Sequence, residues 1–137
     1  MCKMKKGKLL ENTLVGGVGI SLAMLSRFYC PEEVASIIGG YETKALAEHF
    51  LSALSVCELC SIPSNIFQSE RSKYVSNMMM VGYVFNTLVH EYDQSLEKGF
   101  YQLNQILADF TGVGLAYLSL NYDSFKEKFK NKETDLQ

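Results

Sequence analysis

The sequence predicts an all-α fold, a small four-helix bundle set in a membrane with both termini on the cytoplasmic side. Three observations predict it. Four apolar segments of about 16–18 residues recur along the chain: Leu14–Tyr29, Ala45–Ile62, Tyr74–His90 and Leu103–Leu120. None alternates with period two, so none reads as a half-buried strand. The charges between the segments alternate in sign in a way that a soluble bundle has no reason to adopt.

The first segment follows a basic start, Met1-Cys-Lys-Met-Lys-Lys-Gly-Lys8. That order resembles the opening of a signal peptide. No small-x-small cleavage site closes it, since Arg27, Phe28, Tyr29 and Cys30 come next. It reads as an uncleaved first span. Pro31 and Pro63 fit helix ends, because the residue before proline is pushed out of the helical region. Pro31 also suits the first position of a short helix over Glu32–Gly39, with acidic residues in its first turn. The second segment contains Cys57-x-x-Cys60. A single CxxC inside an apolar run, with no second pair and no preceding strand, fits helix packing better than zinc or redox chemistry. The third segment carries Met78–Met80, a run that suits core or lipid contact. The fourth contains Gly112-x-Gly114 and Ala116, and the first contains Gly16, Gly17, Gly19 and Ala23. Both sets have the small-residue spacing for close helix approach. They lack the Gly-x-Gly-x-x-Gly order of a phosphate loop. Residues 1–124 read as one helical domain, and 125–137 as a basic tail that starts helical.

The topology comes from charge. With a cytoplasmic N-terminus and four crossings, Lys3, Lys5, Lys6, Lys8, Arg71, Lys73, Lys126, Lys128, Lys130 and Lys132 fall on one side. These are ten of the thirteen basic residues. The outer connections hold Lys44 and Lys98, with Glu32, Glu33, Glu42, Glu91, Asp93 and Glu97. This is the positive-inside pattern of a cytoplasmic membrane. The wider composition agrees. The 137 residues suffice for one domain, and 47% of them are hydrophobic and 20% charged, which excludes a disordered chain. The formal charge of -2 gives no pull towards nucleic acid, so lipids and other helices are the expected partners, as a homo- or hetero-oligomer.

The same topology brings polar residues of three helices to one depth, near the outer leaflet. Glu48 and His49 lie at the outer end of the second span. His90, Glu91, Asp93 and Gln94 lie at the end of the third. Gln105 and Asp109 lie in the outer half of the fourth, four residues apart on one face. Ionisable groups in a span are expensive and usually paired or functional. Glu91 and Asp109 are the candidate catalytic carboxylates, as a general base. His49, His90, Glu91 and Asp109 are candidate ligands for a divalent metal. Gln94 and Gln105 are candidate ligand-binding amides. The plain alternative is that these groups hydrogen-bond the helices together. Glu48 and Asp93, nearest the surface, are expected to be solvated.

The stretch His90–Tyr117 resembles the VanZ-like and YfiM-like families of small bacterial envelope proteins. Glu91 and Gln94 match an acidic motif ending one helix, and Lys98 or Gly99 falls in the loop. Gln105-x3-Asp109-x2-Gly112-x3-Ala116 matches the spacing of the motif on the next helix, with Gln105 in place of its first Asp and Ala116 in place of its last Gly. Lys44 and His49-Phe50 correspond more loosely to an earlier element. The resemblance implies a four-helix membrane fold and no settled chemistry; the leading expectation is that the polar cluster engages an envelope lipid or cell-wall-related ligand. The rival readings are a non-enzymatic membrane subunit packed into a larger complex and a soluble four-helix domain that binds another protein. Whether the expressed protein stays with membranes after a high-pH wash separates the soluble reading from the other two.

Overall fold

The computed structural model describes residues 6–29, 39–99 and 102–134. Among them are helices only: α1 Lys6–Tyr29, α2 Gly40–Cys60, the short α3 Ile62–Phe67, α4 Glu70–Lys98 and α5 Leu103–Thr134. Three of the long helices contain their expected apolar segments and extend beyond them, while the second segment, Ala45–Ile62, ends at the first residue of α3, past the end of α2 at Cys60. Lys, Glu and Gln are good helix formers, so the backbone continues helical where hydropathy falls. For the same reason α5 runs unbroken through most of the basic 125–137 stretch. The short helix expected over Glu32–Gly39 lies outside the described residues apart from Gly39, which precedes α2 in the left-handed region with φ 104.

Local chemistry sets the described boundaries. Pro63 stands at the start of α3, where the missing N–H costs nothing. Ser69 caps α4 in a reciprocal box: the Ser72 backbone N–H donates to Ser69 Oγ, and the Ser69 N–H donates to Ser72 Oγ, each at 3.1 Å. Glu70 in the first turn and Lys98 in the last both suit the helix dipole. Gly99 ends α4 at φ 79, a left-handed conformation that a glycine adopts without strain, and its N–H donates to Ser95 O at 2.8 Å.

Successive long helices reverse direction. Lys8, Lys73 and Asp123 share one end of the bundle, and Arg27, Glu48 and Gln94 the other. The packing is unequal. Helix α2 is central, with α1 on one side and α5 on another, and α4 touches α2, α3 and α5. Among the described residues, α1 makes no close backbone approach to α4 or α5. The tight contacts are made by small residues. A Cβ on Gly16 would stand 2.6 Å from Leu59, and one on Gly19 would stand 1.9 Å from Ser55 Oγ. On Gly112 it would meet Phe50 O at 2.7 Å and Leu54 N at 2.8 Å. Gly17 and Gly114 face open space and do none of this. Cys57 and Cys60 are buried free thiols, with Cys57, Met80 and Ala116 at the centre where α2, α4 and α5 meet.

Among the described residues, fully buried polar side chains outnumber fully buried apolar ones. Six described hydrophobic residues are buried: Ala23, Ala53, Cys57, Cys60, Met80 and Ala116. Eleven polar or charged residues are buried, among them Asn12, Glu58, Ser76, Thr87, Glu91, Asp109 and Asn121. No buried residue in the described chain is Leu, Ile, Val or Phe. Leu14, Val18, Leu22 and Phe28 of α1, Val81 and Phe85 of α4, and Leu107, Leu115 and Leu118 of α5 face outward instead. Two stretches, Gly7–Phe28 and Gly40–Phe67, are long and apolar enough to cross a membrane, and their apolar windows are only 22% and 39% buried.

Candidate binding cleft

Because α1 and α4 do not touch, a cleft of about 770 Å³ opens between them, with α2 as its back wall. That volume lies in the range of small-molecule sites. One stretch of the wall is apolar: Ile20, Ala23 and Met24 of α1, Val56 of α2 and Tyr83 of α4. The other stretch is mainly polar, with Arg27 of α1, Glu48, His49 and Ser52 of α2, Asn86, Thr87, His90 and Gln94 of α4, and Asp109 of α5, beside the apolar Phe28 and Ala45.

At the polar floor, His49 Nδ1 lies 3.0 Å from Asp109 Oδ2. The N–H donates to the carboxylate, which leaves Nε2 as the other ring site. The pair depends on the helix packing behind it. Gly112 lies three residues after Asp109, on the same face of α5, and sits against the backbone of Phe50 and Leu54. Helices can come this close only where a side chain is missing. The approach carries Asp109 into reach of the residue preceding Phe50.

Asp109 is 3% exposed, and its Oδ1 has no hydrogen-bond partner among the described residues. Glu91 is 1% exposed, and both of its carboxylate oxygens lack a partner in the same sense. Glu91 does not itself line the cleft; it is buried on α4 one turn from Thr87 and from Gln94, which do. Buried polar groups are normally satisfied, and the Ser55 and Ser76 hydroxyls, away from the cleft lining, are the other unpartnered buried side-chain groups among the described residues.

The remaining candidates are placed differently. His90 is exposed, and the Gln94 amide nitrogen contacts its Nε2 at 2.7 Å. Lys98 Nζ donates to Gln94 Oε1 at 2.7 Å and to Gln102 Oε1 at 3.2 Å, tying the end of α4 to the approach to α5. Gln105 is half-buried one turn before Asp109 and does not line the cleft. Among the described residues, no three His, Cys, Asp or Glu side chains are arranged to hold a metal ion. His49, His90, Glu91 and Asp109 are therefore not assembled as a coordination set. His49 spends its Nδ1 on Asp109, and His90 faces Gln94 on the exposed side.

Glu48 departs from expectation. It is not solvated: Ser26 Oγ donates to its Oε1 at 2.8 Å, and Lys44 Nζ lies 3.7 Å away, so it ties α1 to α2 at the mouth of the cleft. Asp93 is exposed, as its position suggested. Sequence reasoning missed Tyr83, Asn86 and Thr87 as lining residues. The helical spacing of Tyr83, Thr87, His90 and Gln94 was the available signal.

The opposite end holds a smaller polar cavity of about 230 Å³, with Lys8, Asn65, Lys73 and Asp123 in its walls. Its groups are mutually bonded. Lys8 Nζ lies 3.4 Å from Asp123 Oδ2, and Lys73 Nζ donates to Ser124 Oγ. Beside it, Asn12 Nδ2 donates to Glu58 Oε2 at 2.5 Å.

No family model, curated protein or solved structure matches the chain.

Proposed function

We propose that this protein is a bilayer-embedded helical bundle that binds an amphiphilic ligand, an envelope lipid or a cell-wall-related lipid, in the cleft between α1 and α4. The observation that carries the reading is the partition of side chains: many large apolar residues face outward, while buried polar residues surround a small apolar centre at Cys57, Met80 and Ala116. In water that arrangement wastes the hydrophobic effect. In lipid it is the favourable one, since large apolar residues meet the tails, small residues let helices approach, and polar groups bond one another inside. The low buried share of the two most apolar stretches speaks against a soluble bundle, whose core helices would be mostly covered. In the full topology all four long helices cross, both termini are cytoplasmic, and His49, Glu91, Gln94 and Asp109 lie towards the outer leaflet. The clustering of basic residues supports that orientation. The bacterial setting rests on the VanZ-like spacing of Glu91, Gln94, Asp109 and Gly112.

The cleft fits an amphiphile because its wall changes character along its length. Its apolar stretch accepts a chain, and its polar stretch accepts a head. The gap between α1 and α4 gives a route in from the side. The experiment is a membrane fractionation. The protein is expected to remain in the pellet after a high-pH wash, and recovery in the supernatant overturns the reading. A membrane subunit whose partner helix fills the same gap is the second reading, favoured by the exposed apolar face of α1. It predicts co-purification of a stoichiometric partner and no saturable amphiphile binding by the isolated chain.

A further inference from the structure

At the floor of the cleft, buried carboxylate oxygens remain that the described residues around them do not bond. Lys44 accompanies Glu48 at the mouth, and His49 bonds one oxygen of Asp109. Arg27 is exposed at the rim. Below it, Asp109 Oδ1 and both oxygens of Glu91 are buried and unanswered among the described residues. Three acceptor atoms with no donor, shut away from water, are unfavourable until something supplies N–H groups or positive charge. Asp109 lines the cleft directly, so the donor can arrive from there.

We infer that the head of the cleft's ligand carries a protonated amine, which Asp109 Oδ1 receives with Glu91 behind it. The inference rests on the amphiphile-binding reading of the cleft and names the chemistry of the head. An ammonium group suits the floor on two counts. It offers three N–H donors, and its charge meets carboxylates where water cannot compete. A metal ion is the poorer fit, because no three ligating side chains converge. The chain of the ligand lies along Ile20, Met24 and Tyr83, and Arg27 at the rim is placed for a phosphate when the head carries one.

The test uses the full chain in maltoside micelles, with native mass spectrometry as a direct reading and the unfolding temperature as a second. The probes are dodecylammonium, chain-matched dodecyl phosphate, lysophosphatidylethanolamine and chain-free ethanolamine. Dodecylammonium is expected to bind saturably and raise the unfolding temperature, since ligand bound to the folded state stabilises it by mass action. Its affinity should exceed that of dodecyl phosphate at least tenfold and should fall at least tenfold in Asp109→Asn and in Glu91→Gln. Glu91→Gln keeps the fold testable if Asp109→Asn disturbs the His49 bond, and Glu97→Gln on the exposed surface should change nothing. Tighter binding of lysophosphatidylethanolamine than of dodecylammonium identifies the source as a zwitterionic lipid. The reverse order identifies a simple amine-bearing amphiphile, and binding of ethanolamine alone as tightly as either overturns the amphiphile. Equal or tighter binding of dodecyl phosphate, or unchanged affinity in both carboxylate variants, overturns the ammonium while the cleft reading stands. Saturable binding of none of the probes overturns both.

Discussion

At the Lys8 end of the bundle, Glu58 is 6% exposed and accepts a hydrogen bond from Asn12. At the Arg27 end, Glu91 is 1% exposed and accepts none among the described residues. The two glutamates sit on helices of the same bundle, at similar burial, with opposite treatment. Asp123 and Asp109 repeat the contrast. Asp123 faces Lys8 across the α1–α5 side, partly in solvent, while Asp109 is buried with one oxygen bonded and the other open. The lesson is that burial alone does not mark a site. A buried acid with its partner in the next helix is part of the packing. A buried acid left open beside a cleft is the one that we propose meets a ligand.

The largest effect should come from breaking the helix contact on which the cleft end depends. Gly112→Leu drives a side chain into the backbone of Phe50 and Leu54, and overpacking of this kind costs about 3 kcal/mol. It should lower the unfolding temperature in micelles and separate His49 from Asp109. Gly114→Ala, in open space, should leave both unchanged. If the two variants behave alike, the close α2–α5 approach is not what places the pair.

The next effect tests the contrast by its sign. Asn12→Leu takes the Asn12 donor from the buried Glu58 carboxylate, leaving it the Ser119 side chain, and should destabilise by about 2 kcal/mol in thermal or denaturant unfolding. Glu91→Leu removes a carboxylate that already lacks a partner. In ligand-free micelles it should stabilise, by about 1–2 kcal/mol. Two substitutions of the same apolar type thus move stability in opposite directions. A loss in both would mean that Glu91 is packed as structurally as Glu58.

The smallest effect belongs to the Lys8–Asp123 pair. Its side chains are 36% and 53% exposed, so screening leaves it little to contribute. Lys8→Ala should cost less than about 1 kcal/mol, and that cost should shrink further in high salt. A large, salt-independent loss would show that the Lys8 end is as highly tuned as the cleft.

Much of the fold was legible because it follows from local rules. Apolar segment length, the absence of period-two alternation and the two prolines were enough for four long helices. The expected small-residue faces also reappear, but the sequence did not separate Gly16, Gly19 and Gly112, which touch a neighbour, from Gly17 and Gly114, which do not. A glycine's neighbour across a helix interface is not written in its own segment.

The sequence by itself determined the helical class, the clustering of basic residues at one end, and the spacing of Gln105, Asp109, Gly112 and Ala116 on one face. Each depends on residues a few positions apart, and helical geometry turns such spacing directly into placement. Only the tertiary structure decided that His49 bonds Asp109, that His90 and Gln94 meet in the cleft wall, that Glu48 is tied to Ser26, and that the α1 backbone stands clear of α4. These outcomes depend on how far α5 and α1 can approach α2. That distance is set where Gly112 and Gly19 meet backbone and side chains more than thirty residues away in the chain.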